Sequence, residues 1–561
     1  MKKLVPLVLL LPVSLSSCKG STPTSSSSST PEVSTSSSVD TGITEHLIDA
    51  PLEDNYRNWY EIFPYSYCDS NNDKIGDLLG IDSKLGYLRG LGYTGIWLTP
   101  IFKTSTYHGY DINDYFQIRK DFGTMDDLKK LVKDAHALGI KVILDGVFNH
   151  TGLYNPWYAS AVAAYKKKLA RTAMTEEEEN YSSLYSFFPD KASADAAISS
   201  HEINRYSAAG ANGFYYECNF DTEMPELNFD SEFTYGKIKS VIDYYMADDI
   251  GIDGFRLDAT SYYYYGNTVK NVPVLTRIAK MIKDNNPNGY SVGECWESSG
   301  TISEYYKSGI DSFFYFPGSS TDSDSFLLRS FANPVYKTSY SSGEKKLLSV
   351  SGSHIPAPFL DNHDMGRATA SKYISFSKFQ LGLLAMTTGA SFHYYGDEIG
   401  MSSSENSPKN DANYRTHYYW NDTTHEGECR DPSGATEQVE YYPSSADQEK
   451  DSSSILNYVK KANLIRNAIP GISRGEIQDS DDTDTQNLAV KGSSPLLAVN
   501  KSYNGSSLKI IFNFSGTETG TYDYSSTDYE VKTVLEDTAE KVINKNKVLT
   551  LPPYSIAVLG K

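Results

Sequence analysis

Two rhythms alternate along the chain. Short runs rich in β-branched, aromatic and leucine residues occur at Trp59–Phe63, Gly95–Leu98, Lys141–Val147, Gly254–Leu257, Ser291–Gly293, Ser312–Phe316, Ala357–Leu360 and Phe392–Tyr395, and each reads as a buried strand. Amphipathic stretches lie between several of them. The clearest is Asp126–Leu138, where Leu128, Leu131, Val132 and Ala135 recur at three- and four-residue steps and Gly139 stops the pattern. Eight strands alternating with helices predict a (β/α)8 TIM barrel within residues 51–470. About 105 residues separate the third strand from the fourth, far more than one helix and its loops require. An inserted subdomain is therefore expected at about 150–233. Inside it, Glu176–Glu179 reads as the solvated start of a helix. Beyond about Pro470 short β-rich runs such as Leu508–Phe514 and Val548–Leu551 predict a C-terminal antiparallel β-sandwich over 471–561.

The first fifty residues follow neither rhythm. Lys2 and Lys3 precede a short apolar run, Leu4–Val13, ending at Leu15-Ser16-Ser17-Cys18. Residues 1–17 have the form of a secretory signal, and the box before Cys18 resembles a bacterial lipoprotein cleavage site. Cys18 would then carry lipid on the mature chain. Residues 18–50 are dominated by Ser, Thr and Pro, with too little apolar surface to fold alone. They are expected to tether a folded body to the outside of a bacterial membrane. The other cysteines, Cys68, Cys218, Cys295 and Cys429, show no metal-type spacing, and are expected mostly as free or buried thiols.

Composition narrows the function. Lys plus Arg number 51 against 71 Asp plus Glu, a net charge of −20. Such a chain has no bulk attraction for a phosphate backbone, so nucleic acid is not an expected partner. No later apolar run is long enough to cross a bilayer. A monomer is the expected state.

Barrel enzymes carry their chemistry at the C-terminal ends of the strands. There the sequence places Asp145-Gly-Val-Phe-Asn149-His150, Arg256-Leu-Asp258, Glu294-Cys-Trp296 and Asp361-Asn-His363-Asp364. Arg256 and Asp258 are two apart, so on a strand they face the same side. A guanidinium beside a carboxylate favours the ionised form. Several acids with an Arg and His residues suit acetal chemistry. Retaining glycoside hydrolysis needs one carboxylate nucleophile and one protonated carboxyl, about 5–5.5 Å apart. Trp296 and Tyr110 offer flat apolar faces to a sugar.

At these residues the sequence resembles the α-amylase family of glycoside hydrolases. Asp145–His150, Gly254–Thr260, Val292–Trp296 and Phe359–Asp364 are similar to its main signature blocks, in order. Gly92–Pro100, Met224–Asn228, His108–Asp111 and Tyr394–Met401 match further blocks. The resemblance covers residues 55 to about 470. It implies Asp258 as nucleophile, Glu294 as general acid/base and Asp364 as stabiliser of the distorted sugar. Arg256 would keep Asp258 charged. His150 and His363 would hydrogen-bond the sugar, and Tyr110 would stack beneath it. Asp145 and Asn149 would support the site. The substrate would be an α-glucan such as starch or maltodextrin, cleaved through a covalent intermediate. An oligo-1,6-glucosidase, a neopullulanase-like enzyme and a transglycosylase are the alternatives, and a starch-binding protein without catalysis is a more distant one. Ala259–Tyr265 departs from the Lys-His pair common after the nucleophile, which puts the usual contacts to the leaving-side glucose in doubt.

Oxygen-bearing side chains also alternate over Asp69–Asp77, with Gly76 allowing a bend, an arrangement able to wrap a hard cation. The segment resembles the calcium loop of oligo-glucosidase and related branches. By that resemblance Asp69, Asn71, Asp73 and Asp77, with the Ile75 carbonyl, would hold Ca2+.

Overall fold

The computed structural model describes residues 41–47, 52–319, 325–327, 336–368, 373–402, 410–436, 443–478, 495–537 and 540–561. The expected signal segment, Cys18 and most of the tether lie outside these residues.

Seven parallel strands form the central sheet: β1 Asn58–Ile62, β2 Gly95–Leu98, β3 Lys141–Gly146, β4 Gly254–Leu257, β5 Tyr290–Gly293, β6 Ser312–Phe313 and β7 Ser391–Tyr394. Their order is β6-β5-β4-β3-β2-β1-β7. The remaining expected strand, Ala357–Leu360, contributes only two parallel bridges, Phe314 to Ala357 and Phe359 to Phe392. Those bridges join the sheet's two ends and close the ring, so the fold is a (β/α)8 barrel.

Side chains along each strand alternate between two cores, as a period of two requires. Trp59, Trp97, Ile143, Tyr290, Val292, Phe314, Phe359 and Phe392 form the plug inside the barrel. Tyr60, Ile62, Ile96, Leu98, Val142, Leu144, Phe255 and Leu257 belong to the outer core under the helices. Trp59 stacks on Tyr290 at 5.0 Å and on Phe392 at 5.8 Å. The inward position two residues beyond Trp59 is Glu61, beyond Ile143 is Asp145, and beyond Val292 is Glu294. An aromatic plug thus ends in a layer of acids at the C-terminal rim.

The helix expected over Asp126–Leu138 spans Met125–Ala137. Thr124 caps it in a capping box with Asp127, which satisfies two backbone donors that a free helix start leaves open. The insertion carries helices Pro156–Leu169, Glu176–Tyr181 and Lys191–Ser199 and a small antiparallel sheet of Phe187–Phe188, Tyr206–Ala208 and Tyr215–Glu217. Glu176–Glu179 are the exposed first turn of the second of these helices, where acidic residues oppose the positive end of the helix dipole.

The C-terminal domain begins at Glu476 and has two antiparallel sheets. Ala498, Ile511, Ala557 and Leu559 face the core shared with Tyr522, Leu549 and Leu551 of the second sheet. Their neighbours Val499, Ile510, Phe512 and Val558 join the core that continues into the barrel, so the domain is a sandwich packed on the barrel. Lys501 is buried at that junction. Its ammonium donates to Glu344 Oε1 at 2.7 Å, to the Met386 carbonyl at 2.8 Å and to the Ile472 carbonyl at 2.9 Å.

One expectation is corrected. Thr41–Leu47 fall in the segment expected to be disordered, yet they are tied to the C-terminal domain. Asn544 N donates to the Thr41 carbonyl at 2.9 Å. Glu45 Oε1 accepts from Thr533 Oγ1 at 2.8 Å and Val534 N at 3.1 Å. A Ser/Thr composition gives no warning of this, because one carboxylate finding a hydroxyl and a backbone N–H fixes the segment.

Candidate active site

Arg256 organises the rim. Its side chain points inward from β4, 1% exposed, with the guanidinium 5.0 Å from the Trp97 ring centroid. Nη1 donates to Asp145 Oδ1 at 2.9 Å and to Asp258 Oδ1 at 2.5 Å. Nη2 lies 3.2 Å from Glu294 Oε2. One planar fork therefore bridges three acids from three strands, and Asp258 and Glu294 are neighbours across it.

The backbone fixes the same pair. Ala259 adopts φ +47, a left-handed conformation unusual for a residue with a Cβ. It aims the Ala259 N–H at Glu294 Oε2, 2.9 Å away. Strain of this kind persists where surrounding contacts over-determine it.

A second chain of hydrogen bonds runs from β1. His363 Nδ1 pairs with Glu61 Oε1 at 2.6 Å. His363 Nε2 is 2.7 Å from Tyr110 Oη and 3.0 Å from Asp364 Oδ2. The Tyr110 hydroxyl donates to Asp145 Oδ2 at 3.0 Å, which joins this chain to the Arg256 cluster. Arg415 closes the far side, donating from Nη2 to Asp364 Oδ1 at 2.6 Å and from Nε to the His363 carbonyl at 2.9 Å.

Burial and charge set the proton positions. Burial raises Glu294, and the negative Asp258 and Asp364 add to the rise while Arg256 opposes it. Asp258 is likewise raised by burial, with Arg256 as the main opposing influence. Burial pushes Asp145 up to about 7 despite Arg256. Burial would depress His363, but Asp364 and Glu61 overcome it and lift the imidazole to about 10. Asp364, although buried, is held well below the usual carboxylate range by His363 and Arg415. At neutral pH His363 is therefore a cation between two acids. Its two N–H groups point at Glu61 and at the Tyr110–Asp364 pair.

The expected residues are not all drawn into this network. Asp145, Arg256, Asp258, Glu294, His363, Asp364 and Tyr110 converge. His150 is buried and pulled down to about 4 by desolvation, so it is neutral, and its Nε2 has no hydrogen-bond partner. Asn149 is buried behind it, with Nδ2 3.4 Å from His150 Nδ1. Trp296 is 50% exposed and stacks on Phe316 at 4.5 Å, at the edge of the site. Three participants were not picked out as site residues from the sequence: Glu61, Arg415, and the half-exposed Phe220 of the insertion, whose ring lies 5.5 Å from that of His150. Glu61 stands two residues after Trp59 in a predicted strand, so its inward direction could have been inferred. Arg415 comes from an irregular segment with no periodicity.

The expected cation loop has only oxygen donors. Asp69 and Asp77 are largely buried, and positive φ at Asn72 and Lys74 folds the loop on itself. Asp69 Oδ1 accepts from the amides of Asn71 and Asn72 at 2.9 and 2.7 Å, and Asp77 Oδ1 accepts from Gly80 N at 2.8 Å. Among the described residues no three His, Cys, Asp or Glu side chains converge as a metal cluster. Any ion here depends on the Asn71 amide oxygen and loop carbonyls beside the acids, a donor set that suits a hard cation. The four described cysteines, Cys68, Cys218, Cys295 and Cys429, are buried free thiols.

A strand-end acid cluster on one buried arginine, in a closed (β/α)8 barrel, defines a carbohydrate-active barrel enzyme of the glycosidase type. The alpha amylase catalytic domain family matches residues 61–475, and the chain belongs to that family of glycoside hydrolases. It is 31% identical over 519 residues to alpha-amylase 3 of Dictyoglomus thermophilum, covering 90% of this chain and 93% of that one. It is 28% identical over 389 residues to the oligo-1,6-glucosidase of Parageobacillus thermoglucosidasius, covering 61% and 65%. The solved structure of Eubacterium rectale Amy13B superposes with a TM-score of 0.81 at 33% identity, covering 92% of this chain and 97% of that one.

Proposed function

We propose that the protein is a retaining glycosidase that hydrolyses α-1,4-glucosidic bonds of starch-type glucans outside the cell. The observation that carries this is the sharing of Arg256 by Asp258 and Glu294, at 2.5 and 3.2 Å. Two acids held on one fork are neighbours, and a retaining double displacement uses a closely spaced carboxyl pair. Asp258 attacks the anomeric carbon while the Glu294 carboxyl protonates the leaving oxygen. Glu294 owes part of its raised pKa to the charge on Asp258. Esterification of Asp258 removes that charge, so the Glu294 carboxyl acidifies and becomes the base that activates water. Asp364, held ionised by His363 and Arg415, presents an acceptor to the ring hydroxyls beside the scissile bond, which stabilises the oxocarbenium-like transition state.

Product profiling on amylose, pullulan and isomaltose tests the specificity. Maltooligosaccharides from amylose support α-1,4 cleavage. Glucose from isomaltose alone would transfer the assignment to the α-1,6 alternative, which the likeness to an oligo-1,6-glucosidase keeps in play. No cleavage of any of the three refutes the hydrolase.

Two further parts of the proposal concern the N-terminal half. The Asp69–Asp77 loop binds Ca2+ through Asp69, Asn71, Asp73, Asp77 and the Ile75 carbonyl. Cys18 carries lipid that anchors the enzyme at the cell surface, where long glucans are met; replacing Cys18 with Ala should release activity into the medium, and full retention in the membrane fraction would refute the anchor.

A further inference from the structure

Two glutamates of the insertion lie where a carboxylate is poorly solvated. Glu217 ends the strand Tyr215–Glu217, and Glu226 is bridged through its backbone to His150; they are 9% and 3% exposed. One asparagine joins them. Asn219 Nδ2 donates to Glu217 Oε1 and to Glu226 Oε2, each at 2.8 Å, and Asn219 N donates to Glu226 Oε1 at 2.8 Å. Two acids on one NH2 group are close neighbours, and two buried like charges so close do not both ionise.

The surroundings do not offset that charge. The titratable groups that face the pair are Glu202, Arg205, Asp221, Cys218, His150 and Tyr262. Glu202 and Asp221 add negative charge. Arg205 is engaged with the Phe220 carbonyl at 3.1 Å and with Asp221 at 4.0 Å. Desolvation keeps His150 neutral, and burial keeps the Cys218 thiol and the Tyr262 hydroxyl protonated. Burial lifts Glu217 to about 7, and burial together with the charge of Glu217 lifts Glu226 well above the usual carboxylate range.

A proton suits this pair better than a cation does. Both oxygens of Glu226 and one of Glu217 already face N–H groups, whose positive ends repel a metal ion. Asn149, whose side chain contacts Glu226, has a buried Oδ1 with no hydrogen-bond partner; a carboxyl O–H is the donor such an oxygen lacks. The pair also sits on a joint. Leu227 N donates to the Asn149 carbonyl at 2.9 Å and Thr151 N to the Pro225 carbonyl at 3.1 Å, which ties the insertion to the segment after β3.

We propose that Glu217 and Glu226 share a proton that fastens the inserted subdomain to the catalytic rim, a clasp firm in acid and looser as pH rises. When the joint opens, both acids meet water, ionise as ordinary glutamates do at about 4.3, and release the proton to solvent. Between that value and the raised folded one, each proton released favours opening about tenfold per pH unit.

Amide exchange in the full chain, read by mass spectrometry on peptides covering 217–227 and corrected for the intrinsic pH dependence, tests the clasp at about pH 5, 6 and 7. Wild-type protection should fall more steeply with pH than that of Glu226→Gln, the two slopes differing by up to about tenfold per pH unit. Glu217→Gln should flatten the slope in the same way. Peptides of the strand Ser506–Asn513 in the C-terminal domain should show no such difference, which separates local opening from a misfolded variant. A common slope for wild type and both variants overturns the proposal. A chelator that lowers protection of 217–227 in wild type but not in Glu226→Gln would place a cation where the proton is assigned, and would overturn it too.

Discussion

Replacing Arg256 with Met probes the centre of the site by removing the fork while keeping an unbranched apolar stem. The variant loses donors to Asp145 at 2.9 Å, to Asp258 at 2.5 Å and to Glu294 at 3.2 Å. Asp145 is wholly buried, so no water replaces its lost partner. Removing one member of a buried ion pair costs about 3–5 kcal/mol. At about 2–4 °C per kcal/mol for domains of 150–250 residues, and less for longer chains, this is a fall in Tm on the order of 5–10 °C. The deficit depends on pH with a definite sign. Without Arg256 the buried carboxyls move further above their unfolded values, and Asp145 already stands at about 7. A carboxyl whose folded pKa is raised contributes stability below its unfolded pKa and loses it as pH rises through the folded value. Thermal unfolding of the full chain at about pH 5 and about pH 8 should therefore show a smaller deficit at the acid end. Arg256→Lys should recover part of the stability but little turnover, because an ammonium cannot bridge Asp258 and Glu294 as a planar fork does. An equal Tm for Arg256→Met and wild type at both pH values, or a larger deficit in acid, would refute the assigned role.

The other predictions use the same network. Glu61→Gln removes one of the two charges that lift His363 to about 10, so the imidazole should give up its proton at lower pH in an NMR titration of the ring; a titration that stays in place contradicts the pairing. Arg415→Ala leaves the Asp364 carboxylate without its 2.6 Å partner, and kcat/KM should fall by on the order of 100-fold, as expected when a charged hydrogen bond to a substrate-holding acid is lost; rates within twofold of wild type would exclude Arg415 from the site. Chelation should lower Tm, since an ion at 100 times its Kd contributes about 2.7 kcal/mol, and an unchanged melt after verified metal removal would contradict Ca2+ in the Asp69–Asp77 loop.

Much of the fold was legible because its strands are buried on both faces and so read as uninterrupted apolar runs. Trp59–Phe63 and Gly254–Leu257 are visible for that reason. Ala357–Leu360 forms only isolated bridges, because Pro358 inside the run has no N–H to give to a sheet ladder. The rim acids Asp145, Asp258 and Glu294 were legible because they end strands at the inward register. Arg415 was not, since it enters from a segment with no period to reveal its direction. Phe220 was hidden for a different reason: an aromatic residue inside an insertion reads as core until exposure separates it from Tyr216 and Phe214, which are buried. The Tyr262–Tyr265 run shows the same limit, because identical residues were sorted into buried, hydrogen-bonded and half-buried positions by a turn whose geometry no pattern discloses.

The division of labour between Asp258 and Glu294 is tested most directly by trapping the intermediate. Glu294→Gln enzyme incubated with α-maltosyl fluoride needs no acid to expel fluoride, yet lacks the base that frees the sugar. Peptide mass mapping should then find one maltosyl unit on the peptide containing Asp258, and none when Asp258 is also changed to Asn. A maltosyl unit on another residue, or fluoride release with no labelled peptide at all, would contradict Asp258 as the nucleophile.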